Sequence, residues 1–133
     1  MTHWAVSYPG AAYRSGCDGP DAFDCWGLVR HVFRHRFDVE FPPVIIGDDG
    51  VDNVRAIKQS ARVSGMRPLP DGALPADGDI VIMRSRVRLH CGVVLELAGR
   101  THVLHAAHEL GVVRQPWRDA TEGMTVELWR KPA

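Results

Sequence analysis

The sequence has no long apolar run and no net charge, and these two absences exclude several classes of protein. No stretch approaches the roughly 20 consecutive apolar residues that span a bilayer, so we expect no membrane insertion. Its 16 basic residues balance 16 acidic ones. The sequence also has no basic stripe with interleaved aromatic residues, so we expect no nucleic-acid partner. We find no repeat, low-complexity tract or linker and therefore predict a single domain over residues 1–133.

Cysteine is scarce, and neither the number nor the spacing of the cysteines favours disulfides or a metal site. The chain has three cysteines, Cys17, Cys25 and Cys91. An odd number without a C-x-x-C pair argues against both a disulfide framework and a cysteine zinc cluster. At least one thiol must therefore stay free, and a free thiol in a chain that also contains histidines is a candidate nucleophile.

A secretory signal is also missing from the start of the sequence. The first residues carry neither the positively charged region nor the apolar core of such a signal. We therefore expect synthesis in the cytoplasm, with any export by a route other than general secretion.

The most informative stretch is the start of a predicted helix over residues 24–37. Apolar residues recur there with a period of 3.6, and Asp24 stands where an N-cap is expected. Cys25 then lies in the first turn, where the positive end of the helix dipole favours the nucleophilic thiolate. The alternative is that Cys25 is simply a small core residue, because free cysteines are often buried.

The second half of the chain changes from a helical to a strand pattern. Residues 1–24 are predicted as loop with one short helix near 8–13, and a second helix is predicted over 51–63. After residue 78 the apolar period becomes two. The predicted strands are 79–83, 89–97, 101–106, 111–113 and 125–129. Helices followed by antiparallel strands predict an α+β fold in which N-terminal helices pack on a C-terminal sheet of about five strands.

Seven histidines raise the possibility of a metal site, which the spacing does not favour. His31 and His35 lie four residues apart on the first predicted helix. A zinc-protease motif would need a glutamate after the first of them, and that position is Val32. We therefore interpret both histidines as part of a solvated helix face and predict no metal and no cofactor.

Two other histidines are brought together by strand pairing. His90 opens one predicted strand and His105 ends the next. If residues 98–99 form a two-residue turn, Leu97 pairs with Arg100, and His105 becomes a diagonal neighbour of His90, roughly 7–8 Å away between α-carbons.

A different turn would bring a different histidine beside His90. A three-residue loop inverts the parity and puts His102 or His108 on that face instead. Two histidines near the Cys25 thiol would form a thiol–imidazole pair with an orienting third group. Two ordinary strand histidines are the alternative.

The combination of these features resembles the NlpC-type cysteine peptidases of bacterial cell walls, which are papain-like. The resemblance covers roughly residues 10–115. Four segments carry it in order: Phe23–Val29, Gly78–Val81, His90–Val94 and Val103–Ala106. Tyr13 also stands twelve residues before Cys25, where this family often carries an active-site tyrosine.

The resemblance implies a role for each matching residue. Cys25 would be the nucleophile, His90 its base and His105 the third polar residue. Tyr13 would line the cleft, and Asp24, although we interpret it as the helix cap, is allowed to contact a substrate amine. The implied reaction is hydrolysis of a peptidoglycan stem peptide, with a γ-D-glutamyl–diaminopimelate endopeptidase as the expected type.

Two departures from the common pattern suggest a particular branch of the family. Many members have serine where this chain has Trp26, which puts the substrate subsite at that position in question, and Cys91 follows His90 where valine or alanine is commoner. Both variants resemble the short phage, prophage and gene-transfer-agent branch. The expected setting is therefore a tail tip that carries the peptidase to the cell wall, with tail proteins as partners. The rival hypotheses are an inactive tail-tip scaffold and a metal-binding module.

Overall fold

The computed structural model describes residues 4–45, 50–86 and 89–132. Its first long element is helix α1, Cys25–Arg36, close to the predicted range. Asp24 is the N-cap: its backbone is extended, and its Oδ1 accepts a 2.6 Å hydrogen bond from the Gly27 amide. The predicted N-cap is therefore confirmed, and Cys25 is the first residue of the helix.

The segment before α1 differs from the prediction. The short helix expected near residues 8–13 is instead a 3₁₀ turn at Trp4–Ser7. It is followed by two short parallel strands, β1 (Ala12–Tyr13) and β2 (Ala22–Phe23). Helix α2 spans Gly50–Val63, as predicted to within one residue. None of the described helices is long and apolar enough to cross a membrane.

The main sheet has six antiparallel strands, which confirms the α+β class. Its strands in chain order are β3 (Arg67–Pro68), β4 (Ile80–Arg84), β5 (Leu89–Leu97), β6 (Arg100–Ala107), β7 (Gly111–Pro116) and β8 (Thr125–Arg130). The spatial order is β3-β8-β4-β5-β6-β7. The strand that sequence analysis missed is β3, because its proline indicated a loop; proline is nevertheless tolerated in an edge strand. A short helix α3, Trp117–Thr121, follows β7.

The sheet has an apolar face on each side. One face joins the large core and packs on α1, mainly through β5 and β6. The other face carries Val81, Met83, Val94 and Val103 and is covered in part by Trp117 of α3. Because successive strand residues point to opposite faces, Cys91 lies on the same face of β5 as Val93 and Leu95 and belongs to the core that packs on α1.

Two motif residues have structural roles that the sequence pattern did not reveal. A Cβ at Gly27 would overlap the backbone carbonyl oxygen of Cys17, so glycine lets the start of α1 approach the preceding loop. Asp79, which is 1% exposed, accepts two hydrogen bonds from the Arg130 guanidinium at 2.6 and 2.7 Å. It thereby holds β4 against the end of β8.

Candidate active site

The hairpin between β5 and β6 places the two histidines. Ala98 and Gly99 both have positive φ, 52° and 76°, as a two-residue type I′ turn requires. Leu97 pairs with Arg100, and Gly92 lies opposite His105. The predicted register is therefore confirmed.

The two imidazole rings touch across this register. His90 Nε2 lies 2.5 Å from His105 Nδ1, and the ring planes meet at 81°. His102 lies opposite Leu95 and contacts its own strand through the Arg100 carbonyl. Of the three candidates for the neighbour of His90, the structure thus places His105 in contact.

Glycine at position 92 is what allows this approach. A Cβ there would lie 2.7 Å from the Leu104 carbonyl oxygen and 3.0 Å from the Cβ of His105. Any side chain would push β6 away from β5 at the histidine pair. The glycine of the His-x-Gly pattern therefore serves the contact between His90 and His105.

His105 is buried and held from both sides. It is 6% exposed, and its second ring nitrogen, Nε2, lies 2.6 Å from the Gln115 side-chain oxygen. Burial and, to a smaller extent, the positive charge of His90 lower the pKa of His105 to about 4, against the opposing effect of the Gln115 hydrogen bond. His105 is therefore neutral at physiological pH.

Cys25 is buried at the start of α1, 5% exposed. A hydrogen bond from the Cys91 thiol is the largest influence on it; together with the hydrogen bond and positive charge of His90, it outweighs burial and lowers the pKa of Cys25 to about 6. Burial raises the pKa of Cys91 well above its usual value, as does the hydrogen bond to Cys25. Cys91 thus remains a thiol that donates to a Cys25 thiolate.

Tyr13 forms part of the surroundings of the thiol. Burial, together with the negative charges of Cys25 and Asp24, raises the pKa of Tyr13 to about 12. Its ring packs on that of His108, with centroids 4.9 Å apart. A phenol that stays protonated beside a thiolate can donate a hydrogen bond to charge that develops there.

Two residues that the resemblance connects with substrate are enclosed in the structure. Asp24 is 3% exposed, and its carboxylate accepts hydrogen bonds from the amides of Gly16 and Gly27. Trp26 is fully buried, packs on Phe41, and points its indole N–H at the Pro42 carbonyl. Asp24 is therefore the helix cap, as sequence analysis interpreted it, and Trp26 packs in the core.

The solvated face expected for His31 and His35 is only partly observed. His35 is exposed, but His31 is half-buried and accepts or donates a 2.8 Å hydrogen bond with the Tyr8 hydroxyl. Over residues 4–45, 50–86 and 89–132, no group of three or more His, Cys, Asp and Glu side chains could hold a metal ion.

Sequence analysis missed two features of the site: the residue Gln115 and the hydrogen bond from Cys91 to Cys25. Gln115 fell beyond the predicted end of its strand, which stopped at residue 113. Cys91 was noted only as an unusual neighbour of His90. Strand parity was the available signal, because it turns Cys91 toward the face on which α1 packs.

The contact between the two thiols leads to a testable prediction. In a Cys17→Ser background, Cys91→Ala should raise the pKa of Cys25 and slow its alkylation at pH 6 by about tenfold, because a hydrogen bond to a charged group is lost. Cys91→Ser keeps a hydrogen-bond donor and should slow alkylation less. Alkylation rates measured against pH test this, and a Cys91→Ala profile that overlays the parent profile would contradict it.

The structure thus brings together a buried thiol of lowered pKa at the start of a helix, a histidine that interacts with it, and a second histidine in contact with the first. This arrangement is the one that activates thiol nucleophiles in cysteine hydrolases. Residues 10–130 match the model of the NlpC/P60 family. The chain therefore belongs to the NlpC/P60 family, which comprises cysteine peptidases that act on peptidoglycan.

Solved structures support the same fold. NlpC1 of Trichomonas vaginalis superposes with a TM-score of 0.61 at 21% identity, over 96% of this chain and 41% of that one. NlpC2 of the same organism gives 0.62 at 19%, over 96% and 43%. This chain thus spans about two-fifths of their length, and at this identity the likeness concerns the fold, whose predicted papain-like character is confirmed. Among curated proteins, none matches.

Proposed function

We propose that this protein hydrolyses an amide bond in peptidoglycan stem peptides, with Cys25 as the nucleophile. The observation that carries the proposal is the continuous contact from an acidified Cys25 through His90 to His105. The family acts on peptidoglycan, which supports the substrate class.

The proposed reaction follows from the positions of the protons. The Cys25 thiolate attacks the amide carbonyl carbon, and the carbonyl electrons move to oxygen. The backbone amide of Cys25 lies at the start of α1, where amide hydrogens lack intrahelical partners, and would donate to that oxyanion. His90 then protonates the leaving amine, which leaves a thioester on Cys25.

The second half of the reaction restores the enzyme. Water attacks the thioester as His90 removes its proton, and the released acid leaves the Cys25 thiolate in place. His105 holds the His90 ring through the nitrogen that faces away from Cys25. Tyr13, protonated beside the thiol, would act as a second donor to the oxyanion.

For the scissile bond we propose the γ-D-glutamyl–diaminopimelate linkage, on the basis of the resemblance to the NlpC-type peptidases. Purified stem peptides, free and attached to muramic acid, would be incubated with the protein and the products identified by mass spectrometry. The proposal predicts a product with a new amino group on diaminopimelate. Release of the intact stem peptide from muramic acid would instead identify an amidase, and no product from any substrate would contradict the peptidase function.

We further propose that a phage or gene-transfer-agent tail tip delivers the protein to the cell wall. Trp26 and Cys91 support this, since both resemble the short phage-type branch. Antibody labelling of purified particles should locate the protein at the tail tip. Its absence from intact particles would contradict this delivery route without affecting the proposed chemistry.

A further inference from the structure

The polar chain of the site does not end at His105. Beyond it, the Gln115 side-chain oxygen lies 2.6 Å from His105 Nε2. Gln115 belongs to β7, where it lies opposite Val103, so it shares the sheet face of His105. Three strands in a row thus contribute one member each: His90 from β5, His105 from β6 and Gln115 from β7.

The order of donors and acceptors along this chain has chemical consequences. A glutamine oxygen only accepts hydrogen bonds, so His105 must carry its proton on Nε2. Its Nδ1 is then an unprotonated acceptor, directed at His90 Nε2. His90 Nε2 consequently carries a proton, and its other nitrogen, Nδ1, is left to exchange a proton with Cys25.

The opposite order would disable the pair. If His105 carried its proton on Nδ1, it would face His90 Nε2 with a donor. An imidazolium at His90 would then point one of its N–H groups at another N–H group, which disfavours the charged form. The Cys25 thiolate depends on that charged form as its partner.

We infer that Gln115 is a positioning residue that fixes the proton of His105 on Nε2 and so keeps His90 able to pair with the Cys25 thiolate. This inference rests on the proposed function, since it concerns the same three residues. It adds a fourth member that touches no substrate and acts through His105.

Electrostatics agree with this arrangement. Burial lowers the pKa of His105 to about 4, so the ring is neutral and its proton sits on one nitrogen alone. The charged group that acts on His105 is His90, and those that act on Cys25 are His90 and Asp24. Gln115 itself carries no charge, so its influence is on where the proton lies.

Two substitutions of Gln115 distinguish its role as a hydrogen-bond acceptor from its role in packing. Gln115→Met keeps the length and removes the acceptor, whereas Gln115→Glu keeps an acceptor that cannot donate at neutral pH. The chain's other glutamine, Gln59, is exposed on α2, and Gln59→Met supplies the matched control. The readout is the rate of Cys25 alkylation against pH in a Cys17→Ser background.

Gln115→Met should slow alkylation at pH 6–7 by roughly tenfold, the effect of one lost hydrogen bond, and shift the profile toward higher pH. The Cys25 alkylation rates of Gln115→Glu and Gln59→Met should stay within about threefold of the parent rate. The inference is overturned if Gln115→Met matches the parent. It is equally overturned if Gln115→Glu slows alkylation as much as Gln115→Met does. Residue 115 would then act as a hydrogen-bond donor or only by filling space.

A second measurement is independent of variants that fail to fold. Long-range ¹H–¹⁵N spectra of the unaltered protein report which imidazole nitrogen of His105 is protonated. The inference requires the proton on Nε2, and a spectrum that places it on Nδ1 overturns it. Failure of the proposed peptidase function would appear separately, as intact stem peptides despite a normal alkylation profile.

Discussion

Cys25→Ala is expected to abolish hydrolysis of peptidoglycan stem peptides. Alanine removes the sulfur that would attack the substrate, and loss of a catalytic nucleophile typically costs at least about 10⁴-fold in rate. The side chain is small and lies within the core, so the fold should survive the change. Stem-peptide cleavage followed by mass spectrometry, together with a thermal melt, measures both effects.

The matched control is Cys17→Ala. Cys17 lies in the loop before α1 and is half-exposed, and its backbone carbonyl accepts a hydrogen bond from the Asp24 amide. It should keep activity near that of the unaltered protein. Cleavage that persists in Cys25→Ala would contradict the assignment of the nucleophile.

His90→Ala is the second substitution with a large expected effect. It removes both the base that pairs with Cys25 and the acid that protonates the leaving amine, so turnover should fall by about 10²–10⁴-fold. His105→Ala should lose less, because His105 acts by holding the His90 ring. Initial rates on one stem peptide, with all variants at equal concentration, compare these losses.

His102→Ala provides the control on the same hairpin. His102 lies three residues before His105 on the same strand, but it pairs with Leu95 and contacts the backbone of its own strand. Its loss should leave the rate nearly unchanged. A larger loss in His102→Ala than in His105→Ala would contradict the assignment of the third residue.

The start of the site could be predicted because its determinants are local. An N-cap carboxylate, a helical period and a two-residue turn are properties of short segments, so Asp24, Cys25 and the register of His90 with His105 followed from the sequence. The parity of one hairpin was enough to choose among three histidines, once the turn was known to contain two residues.

The parts that sequence analysis missed depend on contacts between distant segments. Gln115 meets His105 only because β7 pairs with β6, and the pattern of β7 fades toward its end. The burial of Trp26 depends on Phe41 and Pro42, which follow α1 in an irregular segment. Similarly, His31 is half-buried because it contacts Tyr8, and Tyr8 precedes the helix in a region without a periodic pattern.

An inactive scaffold with the same fold would have no need for the arrangement around Cys25. The Cys91 thiol and His90 both act to lower the pKa of Cys25 against the cost of burial. Gly92 is kept small at the point where the two histidines meet. These features are the ones expected around a reactive thiol, so the measured reactivity of Cys25 distinguishes a peptidase from a scaffold.

The most direct test of this account is the rate of Cys25 alkylation against pH, for Cys17→Ser beside Cys17→Ser/His90→Ala. Cys91 is fully buried, so the signal belongs to Cys25. Only the thiolate reacts, so the rate should be full above the pKa of Cys25 and fall as the pH drops through about 6. In the His90→Ala protein the fall should move toward the pKa of about 8.5 of an ordinary thiol. Profiles that both follow an ordinary thiol would contradict an activated Cys25 and leave a scaffold with the fold of a peptidase.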